Sequence, residues 1–333
     1  MNNIKYTKLL YYHGMDFYKS LNEKIYNVNQ LSLNFTNNQK ITDEDIKRIG
    51  NVHKLDLSWC KKITDESVKH LGNCHTLTLW ECENITDESV KHLGNVHTLN
   101  LSGCKKITSD SVIFLGKCHI LNLMGCSGIS DDGIKHLGNV HTLDLCCNRK
   151  IITDESVKYL GNVHILQLSY CDKITDVSVK HLGNCYKLSL SYCKKITDES
   201  VKYLGNVHIL DLNHCDRITN EGIKNLGNCY SLYLNGCCKI TNMGIKYLSN
   251  VKILDIDCER ITDEGLSFLG KNAIIISLYN CKNITSEGLK YLGNVHTLYV
   301  YSFKNTDSIT PQWCSCNLSK VDKFILNGKI VIW

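Results

Sequence analysis

Three residue types recur in this 333-residue chain at spacings that could carry chemistry: cysteine, histidine and paired carboxylates. Nine of the 19 cysteines (Cys60, Cys82, Cys104, Cys126, Cys171, Cys193, Cys215, Cys237 and Cys281) stand three residues past a Leu-x-Leu-type pair. Asn148 takes that slot once, and Cys258 comes one residue early where the period is short. Cys74, Cys118, Cys185 and Cys229 fall at a second regular position. A thiolate array of this kind would bind zinc or exchange disulfides. His53, His75, His97, His119, His141, His164, His208 and His296 form a column two residues before the first leucine of the pair. His70, His92, His136 and His181 form another. Columns of imidazoles would ligate metal or sense pH near 6.5. The Thr-Asp-Glu runs place carboxylates side by side, the raw material of acid–base work.

Each has a plainer account. One thiol per period, with no histidine converging on its slot, suits a small hydrophobe in a packed interior. Tyr186 and Tyr230 replace His in the first column, and Tyr159, Tyr203, Tyr247 and Tyr291 alternate with His in the second. Tyrosine serves ring stacking well and metal ligation poorly. The carboxylates recur at many helix starts, where they cap, and form no single cleft. G-x-S-x-G, G-x-x-x-x-G-K-[ST], H-E-x-x-H and EF-hand motifs are absent from the sequence. Cys314 and Cys316 form a C-x-C with no partner cluster. The expectation is therefore no catalysis, no metal and no cofactor.

What positions these columns is a repeat. The unit reads ITDESVKHLGNVHTLxLSxCxx, with its isoleucine at Ile41, Ile63, Ile85, Ile107, Ile129, Ile152, Ile174, Ile196, Ile218, Ile240, Ile261 and Ile284. The interval is 22 residues, apart from 23, 21 and 23 at the units starting at Ile129, Ile240 and Ile261. The HTLTL segment alternates apolar and polar residues, the mark of a strand with one buried face. TDESVKHLGN reads as a short helix: Thr or Asp caps it, acidic residues fill its first turn, and Gly-Asn stops it. Val68 and Leu71, three apart, give it an apolar inner face. Asp65, Glu66 and Lys69 suit ion pairs on its solvated side. One unit cannot bury its own stripe, whereas stacked units can.

The motif L-x-L-x-x-C followed by I-T-D-x-x-[VIL]-x-x-L resembles the cysteine-containing leucine-rich repeats found beside F-box motifs in ubiquitin-ligase substrate receptors. The resemblance spans roughly residues 27–328 and implies an α/β leucine-rich-repeat solenoid, a curved horseshoe. A parallel β-sheet would line its concave face and short helices its convex face. These units are shorter than usual for that class, so some helices should shrink to about two turns or to 3₁₀ structure. The resemblance also implies that the Cys slot bonds backbone groups between repeats. The expected organisation is an N-terminal cap over 1–26, a half unit plus twelve units over 27–305, and a degenerate repeat with a C-terminal cap over 306–333. The first segment lacks the Leu-Pro start of an F-box, so the resemblance covers the recognition half alone.

Partner choice must lie in the variable columns, since packing dictates the others. On the expected concave face, Asp56, Glu81, Asp144, Asp211, Asp255 and Asp257 outweigh Lys54 and Lys187, although the whole chain carries +5. A nucleic-acid groove needs the opposite sign. The basic residues, moreover, include only four arginines (Arg48, Arg149, Arg217 and Arg260), the usual readers of phosphate and guanine. The candidate binding residues are the aromatic and acidic members of this face. Trp59, Trp80 and Glu81 form one group. Tyr170, Tyr192 and His214 share a column, with Asp211 and Tyr233 beside them, and Tyr279, Tyr299 and Tyr301 make a third group. Gly103 and Gly125 leave a bare stretch between. Aromatic side chains are favoured interface anchors.

The functional expectation is a protein–protein interaction scaffold for a neutral to basic protein or peptide. The alternatives are a substrate-recognition adaptor of a ubiquitin ligase and, last, a metal-binding His/Cys array. No apolar run reaches about 18 residues, and the N-terminus lacks the h-region of a secretory signal. With cysteines read as reduced, an intracellular, cytoplasmic setting is expected.

Overall fold

The computed structural model describes residues 31–49, 52–149 and 151–332. The expected cap over 1–26 lies outside these. Two compact units divide the chain at Leu166/Gln167, within the strand Ile165–Gln167. In the first, the strands Ser32–Asn34, Lys54–Asp56, Thr76–Thr78, Thr98–Asn100, Ile120–Asn122 and Thr142–Asp144 pair in parallel, each with the next in sequence. Their register aligns Leu33, Leu55, Leu77, Leu99, Leu121 and Leu143 in one row. In the second, Lys187–Ser189, Ile209–Asp211, Ser231–Leu234, Ile253–Asp257, Ile275–Tyr279, Thr297–Val300 and Lys323–Leu326 do the same. A last strand, Lys329–Val331, turns back antiparallel.

The repeat length explains the register. A constant period sets each leucine pair beside the previous one, and both of its members are buried from Leu55 to Leu298. Full burial of one such side chain contributes about 1.5–3 kcal/mol. Ile63, Val68, Leu71 and Cys74, with their equivalents in later repeats, close the interior from the helical side.

The α-helices among the described residues are shorter than two turns. Asp65–Val68 spans four residues, as do most of its counterparts, and several continue as 3₁₀ turns such as Ile113–Leu115. A 22-residue repeat has no chain to spare for more. The Gly of Gly-Asn also has a different job from stopping a helix. Gly72 is not in the left-handed region; a Cβ there would lie 2.5 Å from the carbonyl oxygen of His92 in the next repeat. Close approach between repeats is what requires glycine.

The Thr-Asp-Glu-Ser run is a ladder between repeats. Asp43 accepts from the backbone N–H of Thr64 (2.9 Å), the Thr64 hydroxyl (2.6 Å) and the Ser67 hydroxyl (2.6 Å). Asp65 and Asp87 bind the next repeats in the same way, as do Asp131 and Asp176. The threonine meanwhile caps its own helix, as Thr64 Oγ1 does for the N–H of Glu66. The surface ion pairs come from the glutamates, Lys69 to Glu66 and Lys91 to Glu88, with Asp65 engaged elsewhere. Exposed pairs of that kind contribute little, about 0.3–0.5 kcal/mol.

Candidate functional site: the solvent face of the sheet

The cysteine slot is structural. Cys82 Sγ donates to the carbonyl of Leu57 at 3.1 Å, one repeat back, and Cys104 and Cys126 repeat the contact on Leu79 and Leu101. Where the slot holds Asn148, its amide reaches the carbonyls of Leu123 and Leu145, both at 3.0 Å. Burial pushes the thiols up, to about 11 at Cys60 and about 12 at Cys82, Cys126 and Cys193. They are protonated at neutral pH and poor nucleophiles. Among the described residues no group of three His, Cys, Asp or Glu could hold a metal ion.

The first histidine column is a stack. In the first unit, consecutive rings from His53 to His164 lie 4.4–4.7 Å apart. Tyr186, His208 and Tyr230 stack likewise in the second. Nδ1 of His75, His97 and His141 lies 3.1–3.2 Å from the hydroxyl of the following threonine. Desolvation, then the neighbouring charges, lowers the pKa of these three rings: His53 and Lys54 at His75, and flanking imidazoles at His97 and His141.

Two residues past the second strand leucine, every described repeat but the one at Cys258 has a backbone slot with positive φ. Gly103, Gly125 and Gly236 occupy it at +73°, +67° and +75°. So do Trp59 (+62°), Glu81 (+55°), Tyr170 (+60°), Tyr192 (+63°) and His214 (+56°). The conformation aims the slot's N–H at the next repeat: Trp59 to the carbonyl of Trp80 at 2.8 Å, and Tyr192 to that of Asn213 at 2.9 Å. Glycine adopts it freely, whereas an L side chain costs about 1–2 kcal/mol there. Five of the eleven residues selected from sequence thus stand in a conformation that disfavours them.

The structure gathers the eleven into separate clusters. Trp59 and Trp80, 37% and 41% exposed, meet edge to face with centroids 5.6 Å apart. Glu81 lies across the next glycine, its carboxyl carbon 2.5 Å from where a Cβ on Gly103 would be. In the second unit, Tyr170 stacks on Tyr192 (4.3 Å, 11°) and Tyr192 on His214 (4.2 Å, 23°). The stack ends on Gly236, whose Cβ would fall 2.4 Å from His214 Nδ1.

The strand rows carry the rest. Asp211, Tyr233, Asp255, Ser277 and Tyr299 are successive partners across the sheet. Asp211 accepts from the Ser189 hydroxyl at 2.9 Å and from the N–H of Asn213 at 3.0 Å. Tyr279 stacks on Tyr301 at 4.9 Å, and Lys323 Nζ lies 5.8 Å from the Tyr299 ring centre.

Sequence reasoning counted Asp255 among the acidic positions without selecting it. Its carboxyl is raised to about 6, first by burial and then by Asp211, against the lowering effect of a hydrogen bond from Tyr279. Its Oδ1 is buried without a hydrogen-bond partner. Burial and Asp255 in turn push Tyr279 up to about 12. The available signal was an acidic residue flanked by Tyr233 one repeat before and Tyr279 one repeat after.

Comparison with known proteins agrees with this geometry. The leucine-rich-repeat family model matches residues 51–72 and 206–227. The repeats are leucine-rich repeats, and the fold is that of leucine-rich-repeat proteins. A cysteine fills the bonding slot of most of these repeats. Among solved structures, the chain is similar to an internalin, InlF, from Listeria monocytogenes (20% identity, TM-score 0.59, covering 86% of this chain and 84% of that one). It is also similar to TLR13 in a TLR13–ssRNA13 complex (22%, 0.57, covering 82% and 43%). A third similarity is to the Rad7–Elc1 complex from yeast (16%, 0.50, covering 87% and 89%). No curated protein matches. No helix among the described residues is long and apolar enough to cross a membrane.

Proposed function

We propose that this chain is a non-catalytic interaction scaffold that binds a protein partner on the solvent face of its sheet, anchored by Tyr170, Tyr192 and His214. Leucine-rich repeats generally mediate protein–protein interaction. The observation that carries the reading is backbone strain without a packing reason. Three other repeats fill the same slot with glycine, so the fold does not require a side chain there. Strained residues kept against an available alternative cluster at functional sites. Mutual stacking returns about 0.5–1.5 kcal/mol per ring pair, enough to offset part of the strain and to hold the rings in place for a partner.

The test is affinity purification with quantitative mass spectrometry, comparing the wild type with a Tyr170→Gly/Tyr192→Gly/His214→Gly variant. The variant is expected to keep its far-UV circular dichroism and to lose at least tenfold in recovery of the specific partner. An unchanged partner profile from a folded variant rejects the anchor. The same experiment separates a free-standing scaffold from a ubiquitin-ligase adaptor, since an adaptor brings down cullin or Skp1-like proteins whether or not the anchor is intact. Most of the described cysteines are buried and recur one per repeat, which supports reduced thiols in a reducing compartment such as the cytoplasm.

A further inference from the structure

The row of the second unit that runs through Asp255 holds more negative charge than its surroundings answer. Asp211 and Asp255 lie in that row on either side of Tyr233, Asp257 follows two residues on in the strand of Asp255, and among the described residues none of the three has an ion-pair partner. Two are satisfied otherwise: Asp211 by Ser189 and Asn213, and Asp257 by the Asn280 amide (2.6 Å) and the N–H of Glu259 (2.9 Å). Asp255 is not. One of its carboxyl oxygens is buried without any donor, although the residue as a whole is half-exposed on the solvent face. An unanswered buried acceptor costs about 1–3 kcal/mol. Rotation about the Asp Cβ–Cγ bond is soft, so either oxygen can be turned toward an incoming donor.

The flanking residues define what that donor is. Tyr233 lies directly opposite Asp255 on one side; on the other, Tyr279 stands two residues along from its partner Ser277, close enough for its hydroxyl to lower the pKa of the carboxyl. A carboxylate between aromatic rings suits a cation with a flat or apolar body, because the rings attract positive charge through their faces. The same row already holds one: the Lys323 ammonium over Tyr299. We propose that Asp255 is the floor of a subsite for a basic side chain of the partner, arginine first and lysine second, walled by Tyr233 and Tyr279. This rests on the interaction reading above and gives it a chemical class, a partner that inserts a cation. Arginine ranks first because its planar fork can stack on a ring while donating to a carboxylate.

The raised carboxyl supplies the readout. Only ionised Asp255 attracts a cation, so apparent affinity follows the ionised fraction. With a midpoint of about 6, affinity should rise about tenfold between pH 5 and pH 7. The experiment uses the full chain with ¹³C-labelled aspartate and N-acetyl-arginine amide as probe, with N-acetyl-lysine amide and N-acetyl-glutamine amide alongside. The Asp255 carboxyl signal is expected to titrate near 6 alone and at least one pH unit lower with saturating arginine probe. The lysine probe should shift it less and the glutamine probe not at all. Asp255→Asn should abolish saturable binding of the arginine probe, while Tyr170→Gly/Tyr192→Gly should retain it. No shift with either cation, or an equal shift with the neutral amide, overturns the subsite. Because this readout uses the wild type and a small probe, it does not depend on the aromatic anchor; failure of that anchor appears only in partner recovery.

Discussion

The two units build one backbone and decorate it differently. In the first, two successive positive-φ slots hold glycine, Gly103 and Gly125, and a run of histidines stacks along the strand starts. In the second, three successive slots hold Tyr170, Tyr192 and His214, and the strand rows carry Asp211, Tyr233 and Asp255. Both pair their strands at the same period and use the same Asp–Thr–Ser ladder. What differs is therefore free of the fold: strained slots occur in both units, but three adjacent ones filled by stacked rings occur only in the second among the described residues. A repeat protein separates these roles cleanly, since each repeat contacts only its neighbours and a local cost stays local.

The ladder is the strongest check that the backbone is shared. Asp87→Ala in the first unit and Asp176→Ala in the second each leave an N–H and two hydroxyls without their acceptor. With charged hydrogen bonds contributing about 1.5–3 kcal/mol, each change should cost about 3 kcal/mol in urea unfolding. Asn substitutions should cost less, because Asn220 already serves as a rung, accepting from the N–H of Thr241 and donating to its hydroxyl. Costs that differ between the units by more than about 1 kcal/mol would mean that the two backbones are not equivalent.

A swap across the slots sharpens the contrast. Tyr192→Gly removes about 1–2 kcal/mol of strain and about as much stacking, so stability should move by less than about 1 kcal/mol. Gly125→Tyr adds the strain with no stacking to offset it: a Cβ at Gly125 meets nothing within 4 Å. It should cost about 1–2 kcal/mol. Equal costs for the two changes would remove the argument that the tyrosines are kept for a partner.

Sequence made some of this plain and hid the rest, for definite reasons. The leucine rows were legible because alternation and a 22-residue period both survive in one dimension. The aromatic column was legible as a column, yet its backbone was not, because Trp, Glu, Tyr, His and Gly in one slot point to no common conformation. Asp65 and Glu66 look interchangeable in a helix start, but only the shorter side chain reaches back from its repeat to the next threonine and serine. Gly72 looked like a helix stop because the carbonyl it must admit lies one full repeat away. Asp255 was visible only as charge; that one of its oxygens lacks a donor is a fact of three dimensions.

The smallest expected effect separates the units by pH. Folding lowers the pKa of His75, His97 and His141 below the ordinary 6.5, first by desolvation and then by neighbouring charges. A lowered histidine means that the unfolded chain takes up protons first as pH falls. The stability tied to these rings is therefore complete above 6.5 and declines as pH drops below it. In the second unit, Tyr186 and Tyr230 flank His208, so that stack contains no adjacent pair of imidazoles. Hydrogen exchange, corrected for intrinsic rates, should show the strands at Leu77, Leu99 and Leu121 losing protection between pH 6.5 and 5, while those at Leu210 and Leu232 change less. His97→Tyr copies the second unit's arrangement into the first and should reduce the acid loss there. If both units lose protection in parallel, or if His97→Tyr leaves the first unchanged, the histidine stack is not what makes them differ in acid.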